Sequence, residues 1–518
     1  MLLALAGAQW GRASAQSRSN TRPIVVGSKP FGESYLLCEM FAQLLEAHGI
    51  AVKRLPGLGA TEVAFGAIRS GAVDVYPEYT GTGLVAILHD SLPDSLAHDA
   101  RTVFAHVADV TAQRYGARWL PPLGFENTYA IAVRRQTAEH EHIRTLSDLA
   151  RASSHLTGGL TPDFIGRPDG LAGLRRVYGI DPRDVRPLAP ALKYQALATG
   201  AVDFVDGYST DGLLSKYDLV VLVDDRHFFP PYQAAALVGP SVARDRPDVI
   251  ATLMLLSGRL DETSMRSLNR RVEVDRENVS VVAADELQRL GLSARRTISG
   301  QSAGRASDGF TKYLWAERAT IARLTARHLE LVAAALIAAV LVAVPVGLLL
   351  ERARASSGTI LGTLGVLETV PSIALLAFMI PLLGVGVIPA LVALWLYALY
   401  PIARGTFVGV RDADPSAVEA AEALGATTWQ RLYLVRLPLA APGIMSGIRT
   451  AAVITVGAAT LAAFIGAGGL GEPIVAGLAL ADTRLVLSGA LPAAALALVV
   501  DGVLALVERA VRPAGKSA

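Results

Sequence analysis

The sequence predicts an α/β domain of two lobes followed by an all-α membrane domain of five spans, and three observations carry that expectation. From Leu331 to Leu350 there is no Asp, Glu, Lys or Arg, and about 20 such residues cross a bilayer's hydrocarbon core as a helix. From residue 23 to about 310, short β-rich runs alternate with helical stretches, as in an α/β sheet. Within that stretch a segment recurs. Gly71-Ala72-Val73-Asp74-Val75 leads to Tyr79, and Gly200-Ala201-Val202-Asp203-Phe204 leads to Tyr208.

The overall figures, 52% hydrophobic and net charge +2 over 518 residues, average these two unlike halves. A net charge so near zero makes no electrostatic case for nucleic acid. The single cysteine, Cys38, excludes an intrachain disulfide. At the N-terminus, MLLALAGAQWGRASAQ has a short apolar core and an Ala13-Ser14-Ala15 site but no basic n-region. Residues 1–22 therefore read as a truncated, signal-like or disordered segment.

Along the first half the strand candidates are IVVGS, VDVY, TYAIAV, VDFV, LVVLV and AAALV, with a helix from Ser34 to His48. Ligands of α/β sheets bind beyond the carboxyl ends of strands. Each copy of the repeat puts its tyrosine where a strand gives way to a loop, so two lobes would offer matching rings to one cleft. Between the halves, Lys312 to Glu330 has helical periodicity with Trp315 and several arginines, an amphipathic interfacial helix rather than a loose linker.

In the second half the spans read as 331–350, 359–382, 387–404, 441–466 and 483–507. Arg352 and Arg354 follow the first, Arg411, Arg431 and Arg436 lie between the third and fourth, and Arg509, Arg512 and Lys516 follow the fifth. All three loops fall on one side, which the bias of basic residues makes cytoplasmic. The first half is thereby placed outside and the C-terminus inside. Pro345, Pro371 and Pro492, with many Gly and Ala, suit a packed bundle in which neighbours satisfy a kinked backbone. Glu368 and Asp501 lie within or at the edge of spans, where an ionisable group is costly.

The third-to-fourth loop is the most specific feature. Glu419-Ala420-Ala421, Gly425 and Val435-Arg436-Leu437-Pro438 stand at the spacing of the EAA loop, and the segment 409–440 resembles that loop of ABC-importer permeases. The resemblance implies a short helix, a turn and a second element seated in a groove of an ATPase subunit. Alanines allow close approach, Gly425 permits a sharp turn, and Pro438 is expected to end the second element before the fourth span. No GxxxxGK[ST] sequence occurs, so this chain lacks the phosphate-cradling loop of a P-loop ATPase. ATP and Mg²⁺ would be used by a separate ATPase chain, with no cofactor in this one. One coupling loop per chain implies two copies around the pathway.

The first half carries VGSKPFGE, YPEYTGTG, NTYAIAV, FIGRPDG and GYSTDG. In these it resembles the osmoprotectant-binding proteins of ABC importers for quaternary amines, those related to glycine betaine, choline and carnitine uptake. The resemblance implies a periplasmic-binding-protein clamp over residues 23–310, one lobe from about 23–125 and 225–310, the other from about 126–224. A linker at 311–328 and a permease at 329–510 would follow. It also implies ligand contacts from Tyr79, Thr82, Tyr129, Tyr208 and Tyr232, with Lys29 and Arg167 holding a carboxylate.

The chemistry agrees. A quaternary ammonium has no N–H to donate and is held by aromatic faces, at about 0.5–2 kcal/mol per contact. A ligand carboxylate calls for a charge-assisted donor. Glu46, His48, His89, His98, His106, His140 and His142 show no metal-ligand spacing, and Ser280 has no base nearby in sequence, so no metal site and no catalytic residues are assigned. The expected function is ATP-driven uptake of a small quaternary-ammonium zwitterion at the bacterial inner membrane. Choline, carnitine or ergothioneine are the alternatives within that architecture. A ligand-gated channel is the rival of another class, but it would want a filter such as TVGYG, which is absent.

Overall fold

The computed structural model describes residues 22–292, 310–480 and 482–511. The signal-like segment therefore lies outside the described residues apart from Arg22, as do Arg512, Lys516 and the end of the binding domain near 310.

Two five-stranded sheets form the first half. One holds β1 (Ile24–Gly27), β2 (Val52–Leu55), β3 (Val75–Tyr79), β4 (Arg118–Trp119) and β10 (Ala234–Val238), in the order β2-β1-β3-β10-β4. The other holds β5 (Tyr129–Arg134), β6 (Thr157–Leu160), β7 (Asp184–Pro187), β8 (Phe204–Tyr208) and β9 (Leu219–Val221), in the order β7-β6-β8-β5-β9.

The two orders are equivalent. In each sheet the central strand, β3 or β8, has a parallel neighbour on one side and an antiparallel neighbour, β10 or β5, on the other. The sequence repeat is the signature of that equivalence. Gly71 and Gly200 take φ of 73° and 79° where a helix turns back toward its central strand. Asp74 Oδ2 accepts from Val25 N at 2.8 Å, and Asp203 Oδ2 accepts from Thr157 N at 2.9 Å. Each aspartate thus pins the start of the neighbouring strand, β1 or β6, and the tyrosine ends up at the tip of the central one.

Strands β2, β4, β6 and β7 are absent from the sequence reading for a physical reason, β4 being only two residues long. β2 (VKRL) and β7 (DVRP) are edge strands with little apolar alternation, and β6 (TGGL) carries two glycines. The glycines are required, because a Cβ at Gly158 would lie 2.7 Å from the Phe204 ring and one at Gly159 2.8 Å from Val202.

Among the described residues of the second half, four helices are long and apolar enough to cross a membrane: Arg318–Arg352, Val387–Arg411, Thr428–Ile465 and Thr483–Ala510. A fifth crossing requires counting Ser356–Thr369 and Ser372–Ile380, which meet at 95°, as one broken span. Pro371 causes the break: it has no N–H, and the carbonyl of Val370 beside it is taken by the Tyr397 hydroxyl.

The stretch expected to form an interfacial helix is helical, but from Arg318 onward it runs continuously into the first span. The link from Gly466 to Asp482 contains a further helix, Gly471–Ala479, with Gly471, Pro473, Val475 and Gly477 buried. That link meets the binding domain. Arg276 donates to Leu480 O and the Leu480 side chain packs on the clamp's main hydrophobic core, while just ahead of the link Phe464 O accepts from Gly59 N at 3.1 Å.

Candidate functional site

At the tips of β3 and β8 a small cavity of about 20 Å³ lies between the two sheets. It is lined by Lys29, Tyr79, Thr82, Tyr129, Arg167, Tyr208 and Tyr232, together with Phe31, Asn127 and Asp163. The seven ligand candidates read from the sequence therefore share one pocket, and three residues join them that were not foreseen. The rings are close packed. Tyr129 stacks on Tyr208 with centroids 5.3 Å apart, Phe31 stacks on Tyr208 at 5.8 Å, and Tyr232 meets Tyr129 edge-on at 5.6 Å. Gly81 in the YTGTG segment makes room for this, since a Cβ there would lie 2.6 Å from the Tyr232 ring.

The two cations are not free. Lys29 Nζ sits 2.7 Å from Glu78 Oε1, and Arg167 donates through Nε and Nη2 to both oxygens of Asp169 at 2.8 and 2.6 Å. Tyr232 Oη also donates to Asp169. Both pairs are almost wholly buried, where an unpaired charge would be costly. Lys29 and Arg167, expected to hold a ligand carboxylate, each already have a carboxylate of the chain beside them. The GRPDG segment held the signal, since Asp169 stands two residues from Arg167.

Asp163 is different. It lines the cavity, and burial pushes its carboxyl up from the ordinary range while Arg167 and Lys29 pull it down. The chain's own cations also occupy ring faces. Lys29 Nζ is 5.3 Å from the Tyr79 centroid, Arg167 Cζ 5.7 Å from Tyr129, and Lys193 Nζ 5.3 Å from Tyr208. A bound ammonium would have to use the opposite faces.

Behind the cage stands Glu33, in the first turn of the helix Gly32–Ala47 and 2% exposed. Its Oε1 accepts from Tyr79 Oη at 2.5 Å and Asn127 Nδ2 at 2.8 Å, and its Oε2 from Thr210 Oγ1 at 2.6 Å and Asn269 Nδ2 at 2.8 Å. Burial pushes this carboxyl up against the pull of the hydrogen bonds from Thr210, Tyr79 and Asn269. One carboxylate thus ties the first lobe to the second and aims the Tyr79 ring. Sequence reading missed it because its partners are scattered along the chain.

At the other end, the coupling candidates Glu419, Ala420, Ala421 and Gly425 belong to the helix Pro415–Ala423 and the turn after it. Gly425 has φ +80°, the left-handed conformation a side chain would strain. Leu424, Trp429, Tyr433 and Leu434 project outward, 60–88% exposed. Leu437 and Pro438 stand differently from the expectation. Pro438 does not end the second element, because one helix runs from Thr428 through Ile465. A wide π-turn over Arg431–Arg436 opens the backbone just ahead, which accommodates the proline ring and its missing N–H. Among the described residues no group of His, Cys, Asp and Glu could hold a metal ion.

Comparison with known proteins shows where such a chain falls. Residues 22–289 match the family described as substrate binding domain of ABC-type glycine betaine transport system. Residues 331–513 match binding-protein-dependent transport system inner membrane component. The chain is 48% identical over 191 residues to the choline transport system permease protein OpuBB of Bacillus subtilis, covering 37% of this chain and 88% of that protein. It is 36% identical over 275 residues to a glycine-betaine-binding protein of Pseudomonas aeruginosa, covering 51% and 86%. It is 33% identical over 293 residues to the ergothioneine transport permease/ergothioneine binding protein EgtU of Helicobacter pylori, covering 56% of this chain and about half, 52%, of that one.

Proposed function

We propose that this chain, which belongs to the ABC-type glycine betaine transport family and carries that family's substrate-binding domain fused to an inner-membrane permease domain, captures a small quaternary-ammonium zwitterion outside the membrane and passes it through its own spans. The observation that carries the reading is the cavity in which four tyrosines and Phe31 converge from both lobes. Such a wall suits a cation that cannot donate hydrogen bonds.

The remaining parts follow the same reading. The binding domain lies on the periplasmic side and the C-terminus in the cytoplasm, in keeping with the basic residues beside the spans. Two copies form the pathway. A separate ATPase chain, using ATP and Mg²⁺, docks on the exposed row around Leu424 and Trp429 and acts through Glu419 to Pro438. This chain is a transport subunit, not an enzyme.

A second reading of the ligand is favoured by Asp163. With Lys29 and Arg167 each already paired, Asp163 is the cavity's extra carboxylate, and it suits a cation without a carboxylate of its own, such as choline. Calorimetry of the full chain with glycine betaine, choline, carnitine, proline and ergothioneine separates the two. Arg167→Ala leaves Asp169 unpaired whatever the ligand, so the difference between ligands is the informative quantity. The zwitterion reading expects glycine betaine to lose about tenfold more affinity than choline. The choline reading expects Asp163→Asn to reverse that order, and failure of the intact chain to bind any of the amines would remove both.

A further inference from the structure

The permease half contains a second polar cavity that the cage does not explain. It is open, holds about 620 Å³, and is bounded by Glu368 and by facing stretches of the helices Val387–Arg411 and Thr428–Ile465. Its floor is backbone, because the two helices touch through glycine: a Cβ at Gly405 would lie 2.8 Å from Gly443 O. Glu368, Tyr400 and Arg404 line it together with Asp412, Ser446 and Thr450, and Asp412 is paired with Arg411. Tyr400 Oη accepts from Arg404 Nη1 at 3.0 Å, and among the described residues Arg404 has no carboxylate partner. Glu368, in the last turn of the helix Arg354–Thr369, makes no hydrogen bond or ion pair among the described residues. Gly365, one turn before Glu368, sets that helix against Tyr400, since a Cβ there would lie 3.3 Å from the ring.

Arg404 is exposed at the end of the third apolar stretch, Glu368 is half-buried at the end of its helix, and neither makes an ion pair among the described residues. Side by side with an aromatic ring they complement a molecule that is cationic at one end and anionic at the other. Glu368 also sits at a helix C-terminus, whose dipole favours a cation. We infer that this cavity is a second station for the transported amine within the permease, where Glu368 and the Tyr400 ring take the quaternary ammonium and Arg404 takes a carboxylate. This rests on the reading of the outer cage as an amine site. The station is weaker than the cage, because it has one ring in place of several and stays open to solvent, and a transit site must release its ligand.

The test uses the full chain in lipid nanodiscs with the cage disabled by Tyr129→Ala and Tyr208→Ala, and radiolabelled glycine betaine and choline as probes. Residual saturable binding of both is expected. Glu368→Gln should weaken both probes about tenfold or more. Arg404→Met should weaken glycine betaine by a similar factor and leave choline within about twofold, which a misfolded permease could not do. No saturable binding in the cage-disabled chain, or binding unmoved by either substitution, overturns the station while leaving the outer site standing. Binding of neither amine by the chain with its cage intact overturns both.

Discussion

Two tyrosines of the cage are held at their hydroxyls, Tyr79 by Glu33 and Tyr232 by Asp169, and Glu33 reaches furthest. Its four hydrogen bonds reach 46, 94, 177 and 236 residues along the chain, and the Thr210 bond crosses from one lobe to the other. A hydrogen bond to a charged group contributes about 1.5–3 kcal/mol. Thr210→Val keeps the side chain's shape and removes only that bond. It is expected to speed ligand release about tenfold or more with little change in capture rate, as read by stopped-flow tyrosine fluorescence. An unchanged release rate would show that the bond does not hold the lobes together. The cation pairs at this scale were half legible: the GRPDG segment put Asp169 within reach of Arg167, whereas nothing local pointed Glu78 at Lys29.

At the scale of elements, the repeat worked because it encodes a strand, its anchoring aspartate and its terminal tyrosine in one short unit. Strands β2, β6 and β7 carried too little apolar alternation to be seen, and neighbours rather than propensity hold them in place. The coupling loop was legible for the opposite reason: its turn depends on a residue type. Gly425 takes φ +80°, which a tryptophan would take only with strain. Gly425→Trp is therefore expected to abolish ATP-driven uptake while leaving ligand affinity within about twofold of native. Normal uptake by that variant, measured in proteoliposomes with the ATPase subunit, would remove the loop from the coupling path. Pro438 carries the complementary lesson, since a proline that should stop a helix is tolerated where a π-turn has already widened it.

Across the whole molecule, the clamp is not merely tethered. Arg276 donates to the carbonyl of Leu480, and Leu480 itself packs on the clamp's core. Ala479 and Leu480 close a second small interlobe cavity that shares Phe31 and Tyr208 with the cage. A movement of the permease link Gly471–Asp482 would therefore be felt where the lobes meet. Leu480→Glu is expected to reduce uptake several-fold with the ligand still bound at near-native affinity. Uptake and affinity falling together would place Leu480 in the clamp's own packing instead.

The sequence by itself determined which half carries the apolar helices, where the loop with Gly425 turns, and which tyrosines end the two central strands. Those properties rest on patterns repeated over neighbouring residues: runs without charge, periods of alternation, a glycine at a turn. Only the tertiary structure decided which charges are already spent and which carboxylate locks the lobes. It also decided that the first span begins well before its apolar stretch. Such outcomes depend on groups far apart in the chain becoming neighbours in a dry interior, where a charge's partner is chosen by proximity and the cost of leaving it unpaired, and short stretches of sequence do not encode that choice.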